Sequence, residues 1–141
     1  MEFVSANPLN YAQAISNPSK CEQVPIHGKM FLPESSQPLP AVIIVPGSLG
    51  VSENHLSHAE TLLSEKIAVV VLDPFSTRGI ASTVSNQTQY SFAASAFDVL
   101  AALRALYSFS QIDPTRISAQ GHSRGGSAVL TAAIRAFADP I

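Results

Sequence analysis

An α/β fold, a mostly parallel sheet with helices on both faces, follows from three features of this sequence. Apolar runs at residues 41–45 and 67–72 lack polar alternation, so they belong to strands buried on both faces. Helical stretches separate the runs, and strand, helix, strand, helix, strand, helix closes as parallel β–α–β units. A third, short strand at 117–120 hands over to a helix at Gly121-His122-Ser123-Arg124-Gly125, a G-x-S-x-G pentapeptide at a strand-to-helix junction.

Taken in order, residues 1–20 are polar and without a clear period, which predicts an N-terminal arm or a loosely docked first turn. The domain itself is expected over 21–141. Two short strands, 22–26 and 29–32, should turn at His27-Gly28, which makes His27 a turn residue. A Pro/Ser-rich loop at 33–40 leads into the 41–45 strand, and Pro46-Gly47-Ser48-Leu49-Gly50 leaves it. Residues 52–66 then predict a helix that starts at Ser52 or Glu53 and turns Leu56, Ala59, Leu62 and Leu63 inward. His55 and His58 lie three apart on it, a spacing that suits a metal, but no third ligand follows. A solvated helix face is the preferred reading of that pair.

The second buried strand ends at Asp73-Pro74-Phe75, where Asp73 is expected to cap the loop that follows. A long helix at 90–107 carries an inner stripe of Phe92, Ala96, Val99, Leu103 and Leu106. Asp113-Pro114-Thr115 reads as a turn in which the Asp113 carboxylate accepts from backbone amides. The last element is an Ala-rich helix at 124–137.

Composition narrows the function classes. The chain has 141 residues, enough for one domain, with 46% hydrophobic and 13% charged residues, so it folds into a globule. A net charge of -2 offers nothing to nucleic acid or an anionic membrane. The single Cys21 excludes an internal disulfide. No apolar run approaches the roughly 20 residues of a membrane span, and residues 1–7 lack the features of a secretory leader. A soluble cytoplasmic protein is the expectation.

The pentapeptide names Ser123 as the nucleophile. A nucleophile elbow pushes its serine out above the strand ends on a strained turn, so the residues two positions away must be small. Gly121 and Gly125 meet that demand, and Gly126 is expected to let the new helix pack closely on the sheet. The competing reading is a Gly-rich loop with an idle serine. Acyl transfer also needs donors aimed at the developing oxyanion. One should be the backbone N–H of Arg124, at the positive end of its helix. The other should come from the loop after the 41–45 strand, with Ser48 favoured over Leu49, unless that loop is an ordinary turn.

Four blocks in order, residues 40–48, 73–79, 112–117 and 121–126, resemble the dienelactone hydrolase family of α/β-hydrolases. The resemblance covers nearly everything from Cys21 onward, although only the elbow is chemically diagnostic. It implies hydrolysis of a small carboxylic ester or lactone through an acyl-enzyme, without a cofactor. The family's name-giving members use cysteine, whereas Ser123 places this chain with a serine-using branch. Pro46-Gly47 stands where His-Gly is often found, which alters the pocket and keeps the backbone donors. Arg78 is similar in position to an arginine that meets a substrate carboxylate in relatives; a surface role is the alternative.

In this fold the triad runs Ser, then Asp or Glu, then His along the chain. Beyond Ser123 the sequence holds Asp139 and no histidine, so the acid and base are expected to lie outside it. His122, His55 and His58 are not expected to substitute. The sequence therefore reads as the amino-terminal portion of a hydrolase, truncated after the elbow helix, inactive and self-associating when alone. A non-catalytic α/β module with a vestigial elbow is the main alternative. Nucleotide binding lacks its motifs, since there is no G-x-x-x-x-G-K-[ST].

Overall fold

The computed structural model describes Met1–Ile141. Its strands are β1 (Glu2–Ala6), β2 (Gln23–Phe31), β3 (Leu39–Val45), β4 (Ala68–Asp73) and β5 (Ile112–Gly121). Its helices are α1 (Tyr11–Ser16), α2 (Glu53–Ser64), α3 (Phe92–Leu106), α4 (Arg124–Ala132) and α5 (Arg135–Ala138). The strands form one sheet in the order β1-β2-β4-β3-β5. β3 pairs in parallel with both β4 and β5, while β4–β2 and β2–β1 are antiparallel. A parallel half carrying the elbow thus adjoins an antiparallel edge.

Strand periodicity explains the layers. Along β4, Ala68, Val70 and Leu72 face one way and Val69 and Val71 the other, and none is more than 2% exposed. α2 covers the Val69 and Val71 face through Ala59, and α3 and α4 cover the opposite one through Val99, Ala102 and Ala128. Full burial of each such valine or leucine contributes about 1.5–3 kcal/mol. α3 is buried on most of its circumference, because Ala93, Ala94, Ala96, Ala101 and Ala102 let neighbours approach its backbone. Its far side packs against a second cluster containing Ala6, Ala14 and Phe137.

Five expectations need correction. Residues 1–20 are not an arm: β1 is hydrogen-bonded along β2, and Phe3, Ala6 and Ala14 are buried. The two short strands around His27-Gly28 are one continuous strand. Gly28 lies on its core-facing side, where a Cβ would stand 2.8 Å from Val70 Cγ1; the glycine serves close packing and not a turn. Leu56 and Phe92, assigned to inner faces, are each 38% exposed, whereas His55 is buried. The last helix breaks after Ala132, and Ile134 adopts an extended backbone that lets α5 bury Phe137 against the Tyr11 ring edge. Finally, β5 begins at Ile112, and its register jumps from Leu39↔Ile112 to Ala41↔Ile117. Residues 113–115, expected as a turn, thus lie within β5 at an irregularity, while Asp113 Oδ1 accepts from the Thr115 amide at 2.9 Å as expected.

Candidate active site

The centre of the site is the crossing from β5 into α4. Ser123 is the N-cap of α4 and holds φ 52, ψ -118, one of two non-glycine residues with positive φ. A backbone in that region costs roughly 1–3 kcal/mol and persists only where its surroundings enforce it. Here the enforcement is steric. A Cβ on Gly121 would fall 2.1 Å from Gly125 O, and one on Gly125 would fall 2.2 Å from Val45 O. Backbone therefore packs on backbone across the turn, and the Ser123 side chain is left exposed. Gly126 does not share this role, since its Cβ would meet nothing closer than 3.4 Å.

The loop after β3 closes over the turn. A Cβ on Gly47 would lie 3.1 Å from His122 O and 3.3 Å from Ser123 Cβ, so Gly47 seats that loop against the elbow. The next residue, Ser48, is anchored from two sides. Its carbonyl accepts from the Thr83 amide at 2.8 Å and from Ser82 Oγ at 3.1 Å, and its hydroxyl accepts from Gln87 Nε2 at 2.9 Å. The backbone N–H groups of Ser48 and Arg124 donate to no group of the chain. Both remain available to an incoming anion.

The Arg124 side chain runs away from the turn and is 5% exposed. Its guanidinium donates to Ser95 Oγ (3.2 Å), Gln87 O (2.9 Å), Gln87 Oε1 (3.1 Å) and Tyr90 O (2.7 Å). It also stacks on the rings of Tyr90 and Phe92, at 4.3 and 4.1 Å from their centroids. No carboxylate bonds it.

Arg78 is not where the sequence reading put it. It does not lie on the surface: its side chain is 4% exposed and all five of its donors are engaged within the chain. Nε donates to Asn7 Oδ1, Nη1 to Pro74 O and Asp98 Oδ2, and Nη2 to Ala6 O and Asp98 Oδ1. Asp98, fully buried on α3, requires this partner.

The other singled-out residues separate cleanly. His55 is no solvated residue: it is 4% exposed, and Nδ1 accepts from the Ser52 amide at 3.0 Å in a capping box. Burial, with the charges of His122 and His58 nearby, holds its pKa below the ordinary imidazole range. Its ring centroid is 6.2 Å from that of His122. His58 is exposed. His27 lies in mid-strand with Nε2 3.4 Å from Glu2 Oε2. Asp73 caps its loop, accepting from the Phe75 and Ser76 amides at 3.0 and 3.1 Å. Asp139 pairs with Arg135 at the surface. The Ser123 hydroxyl makes no hydrogen bond within the chain, so no imidazole here is seated as its base.

Gln87, Tyr90, Ser95 and Asp98, which tie these parts together, escaped the sequence reading. They stand in a motif-free polar stretch and on a helix whose apolar stripe hid its polar members. Nothing in their spacing announces them.

A mixed sheet whose parallel half carries the site, a glycine-tight elbow with an outward serine and an adjoining loop with free amides define an α/β-hydrolase. Residues 64–139, more than half of the chain, match the family model "Acetyl xylan esterase (AXE1)", and the chain belongs to that family. No curated protein matches it. Among solved structures it is similar to a dienelactone hydrolase-like promiscuous phosphotriesterase from metagenomic libraries, at TM-score 0.63 and 20% identity over 94% of this chain and 53% of that one. It is also similar to Est1E from Butyrivibrio proteoclasticus, at TM-score 0.63 and 19% identity over 78% of this chain and 41% of that one. A third is an acetyl xylan esterase from Paenibacillus sp., at TM-score 0.56 and 22% identity over 78% and 40%. The likeness is one of fold, and the chain spans about half the length of these relatives.

Proposed function

We propose that this chain carries the nucleophile and oxyanion half of a serine-dependent carboxylic ester hydrolase. The observation that carries the reading is Ser123 at φ 52, held exposed between two glycines that tolerate no side chain. In the reaction, Ser123 Oγ attacks the ester carbonyl carbon and its proton passes to a base. The carbonyl oxygen becomes an oxyanion that accepts from the amides of Arg124 and Ser48. Collapse breaks the carbon–alkoxy bond, the alcohol leaves with a proton, and water then releases the acid from the acyl-serine.

The family description favours an acetyl ester on a carbohydrate as substrate. A small ester or lactone of the dienelactone type is the second choice, supported by the block resemblance and by one neighbour's description. Because this chain seats no base beside Ser123, the whole protein has to supply it. The test is hydrolysis of p-nitrophenyl acetate, with fluorophosphonate labelling, by the whole protein and its Ser123→Ala variant. Loss of both signals is expected, and hydrolysis that survives the substitution would overturn the reading. A non-catalytic binding module is the second reading, favoured by the unpartnered Ser123 hydroxyl; it predicts no labelling even in the whole protein.

A further inference from the structure

We infer that Gln87 is a positioning residue that couples the two oxyanion donors, an inference that rests on the proposed function above. Gln87 lies in the long connection between β4 and α3, in neither element that carries the donors. Its carboxamide nevertheless bridges them. Oε1 accepts from Arg124 Nη1 at 3.1 Å, and Nε2 donates to Ser48 Oγ at 2.9 Å. A guanidinium can only donate, so the oxygen must face Arg124 and the NH2 must face Ser48. The orientation of the amide is thus dictated by its neighbours. The Gln87 main-chain carbonyl adds a second acceptor for the same Nη1, at 2.9 Å.

Each end of the bridge matters. Arg124 is the first residue of α4, directly after Ser123, and its buried cation rests on neutral acceptors alone. Such a charge needs every one of them, because an unsatisfied buried donor costs its full desolvation. Ser48 is the second donor, on a loop that Gly47 seats against the elbow. Thr83 and Ser82 hold its carbonyl from the same connection that carries Gln87. Without the carboxamide, the α4 start and the β3 loop lose a side-chain link that helps to hold their separation. Oxyanion donors must sit within about 0.5 Å of their productive positions, so relaxation of that separation falls on the transition state. Ground-state binding does not depend on it.

The experiment measures kcat and KM for p-nitrophenyl acetate, and inhibition by phenylboronic acid, whose serine adduct places an oxygen in the oxyanion site. It uses the whole protein with Gln87→Leu, Gln87→Glu and Ser48→Ala. Gln87→Leu should lower kcat by about 10- to 100-fold, with KM unchanged within about twofold and boronate affinity weakened in parallel with kcat. Gln87→Glu keeps an acceptor for Arg124 and one for the Ser48 hydroxyl, and should recover kcat to within about fivefold. The combined Gln87→Leu/Ser48→Ala loss should fall short of the product of the single losses. A Gln87→Leu enzyme that keeps kcat within about twofold, or changes KM alone, overturns the inference. Should Gln87→Leu fail to fold, Ser48→Ala decides: unchanged kcat overturns the coupling, and a lowered kcat at constant KM supports it. Wild-type hydrolysis that survives Ser123→Ala removes the proposed function itself, and so is distinct from a failure at Gln87 alone.

Discussion

Arg78 and Asp98 form a two-pronged ion pair, Nη1 to Oδ2 at 2.6 Å and Nη2 to Oδ1 at 2.9 Å, with side chains only 4% and 0% exposed. Burial pushes the Asp98 carboxyl up, and the Arg78 guanidinium and the Ser5 hydroxyl pull it back. Asp98→Ala leaves a buried cation without its counter-charge, and a loss of about 3–5 kcal/mol is expected from urea unfolding. The Arg78→Met/Asp98→Leu pair should be milder than Asp98→Leu alone, because no charge is then stranded.

The adjacent glycines of the elbow helix separate packing from propensity. Gly125→Ala drives a Cβ into the Val45 carbonyl, and a loss above about 3 kcal/mol is expected, enough to prevent folding of a marginal domain. Gly126→Ala meets only ordinary contacts inside a helix, and should be neutral or stabilise by up to about 1 kcal/mol. Thermal melts of the two variants check the contrast. Equal effects would contradict the steric account of the elbow.

Stability should fall as pH drops below the ordinary histidine value, and His55 is the cause. Its folded pKa is depressed by desolvation and by the neighbouring His122 and His58. The unfolded chain therefore takes up a proton that the folded chain resists, so stability is full above about 6.5 and declines as pH falls through the folded value. His55→Gln keeps a Ser-x-x-Gln capping box and removes the titration. Urea midpoints at pH 7.5 and 5.5 should differ less in that variant than in the parent.

We propose that the 1–141 chain self-associates through its edge. β5 pairs only with β3, which leaves its other side with free N–H and C=O groups. Leu130 and Ile134, 74% and 54% exposed, add apolar surface on the helical side of the sheet. Light scattering at micromolar concentration should show dimers or larger species, and Ser118→Lys at an exposed position of the edge strand should reduce them. A monodisperse monomer would count against this account.

How much of this is legible in the sequence depends on whether the cause is local. The 41–45 and 67–72 runs reported β3 and β4 because a strand buried on both faces admits no polar residue. The elbow was legible because its sterics demand glycine at Gly121 and Gly125. Gly28 misled for the same reason: glycine also marks turns, and the Val70 methyl that explains it lies on another strand. β1 is five residues long and gains its meaning from β2 pairing, which no local period records. Arg78 was visible as an arginine in a suggestive loop, but Asp98 was hidden in an apolar helix. The bridge through Gln87 joins three separate segments, and sequence spacing carries no trace of it.

The position of β1 bears on the order in which the molecule assembles. Ser5 bonds Asp98 across 93 positions of chain, and Asn7 bonds Arg78 across 71. Closing such long loops is slow, and the reward arrives only when the distant partner is present. During synthesis the Ser5 and Asn7 side chains must therefore wait for Asp98 and Arg78 to emerge, although β1 can already pair with β2. These side-chain contacts are expected to be fixed after the strand pairing. Those two bonds tie β1 to the buried Arg78–Asp98 pair.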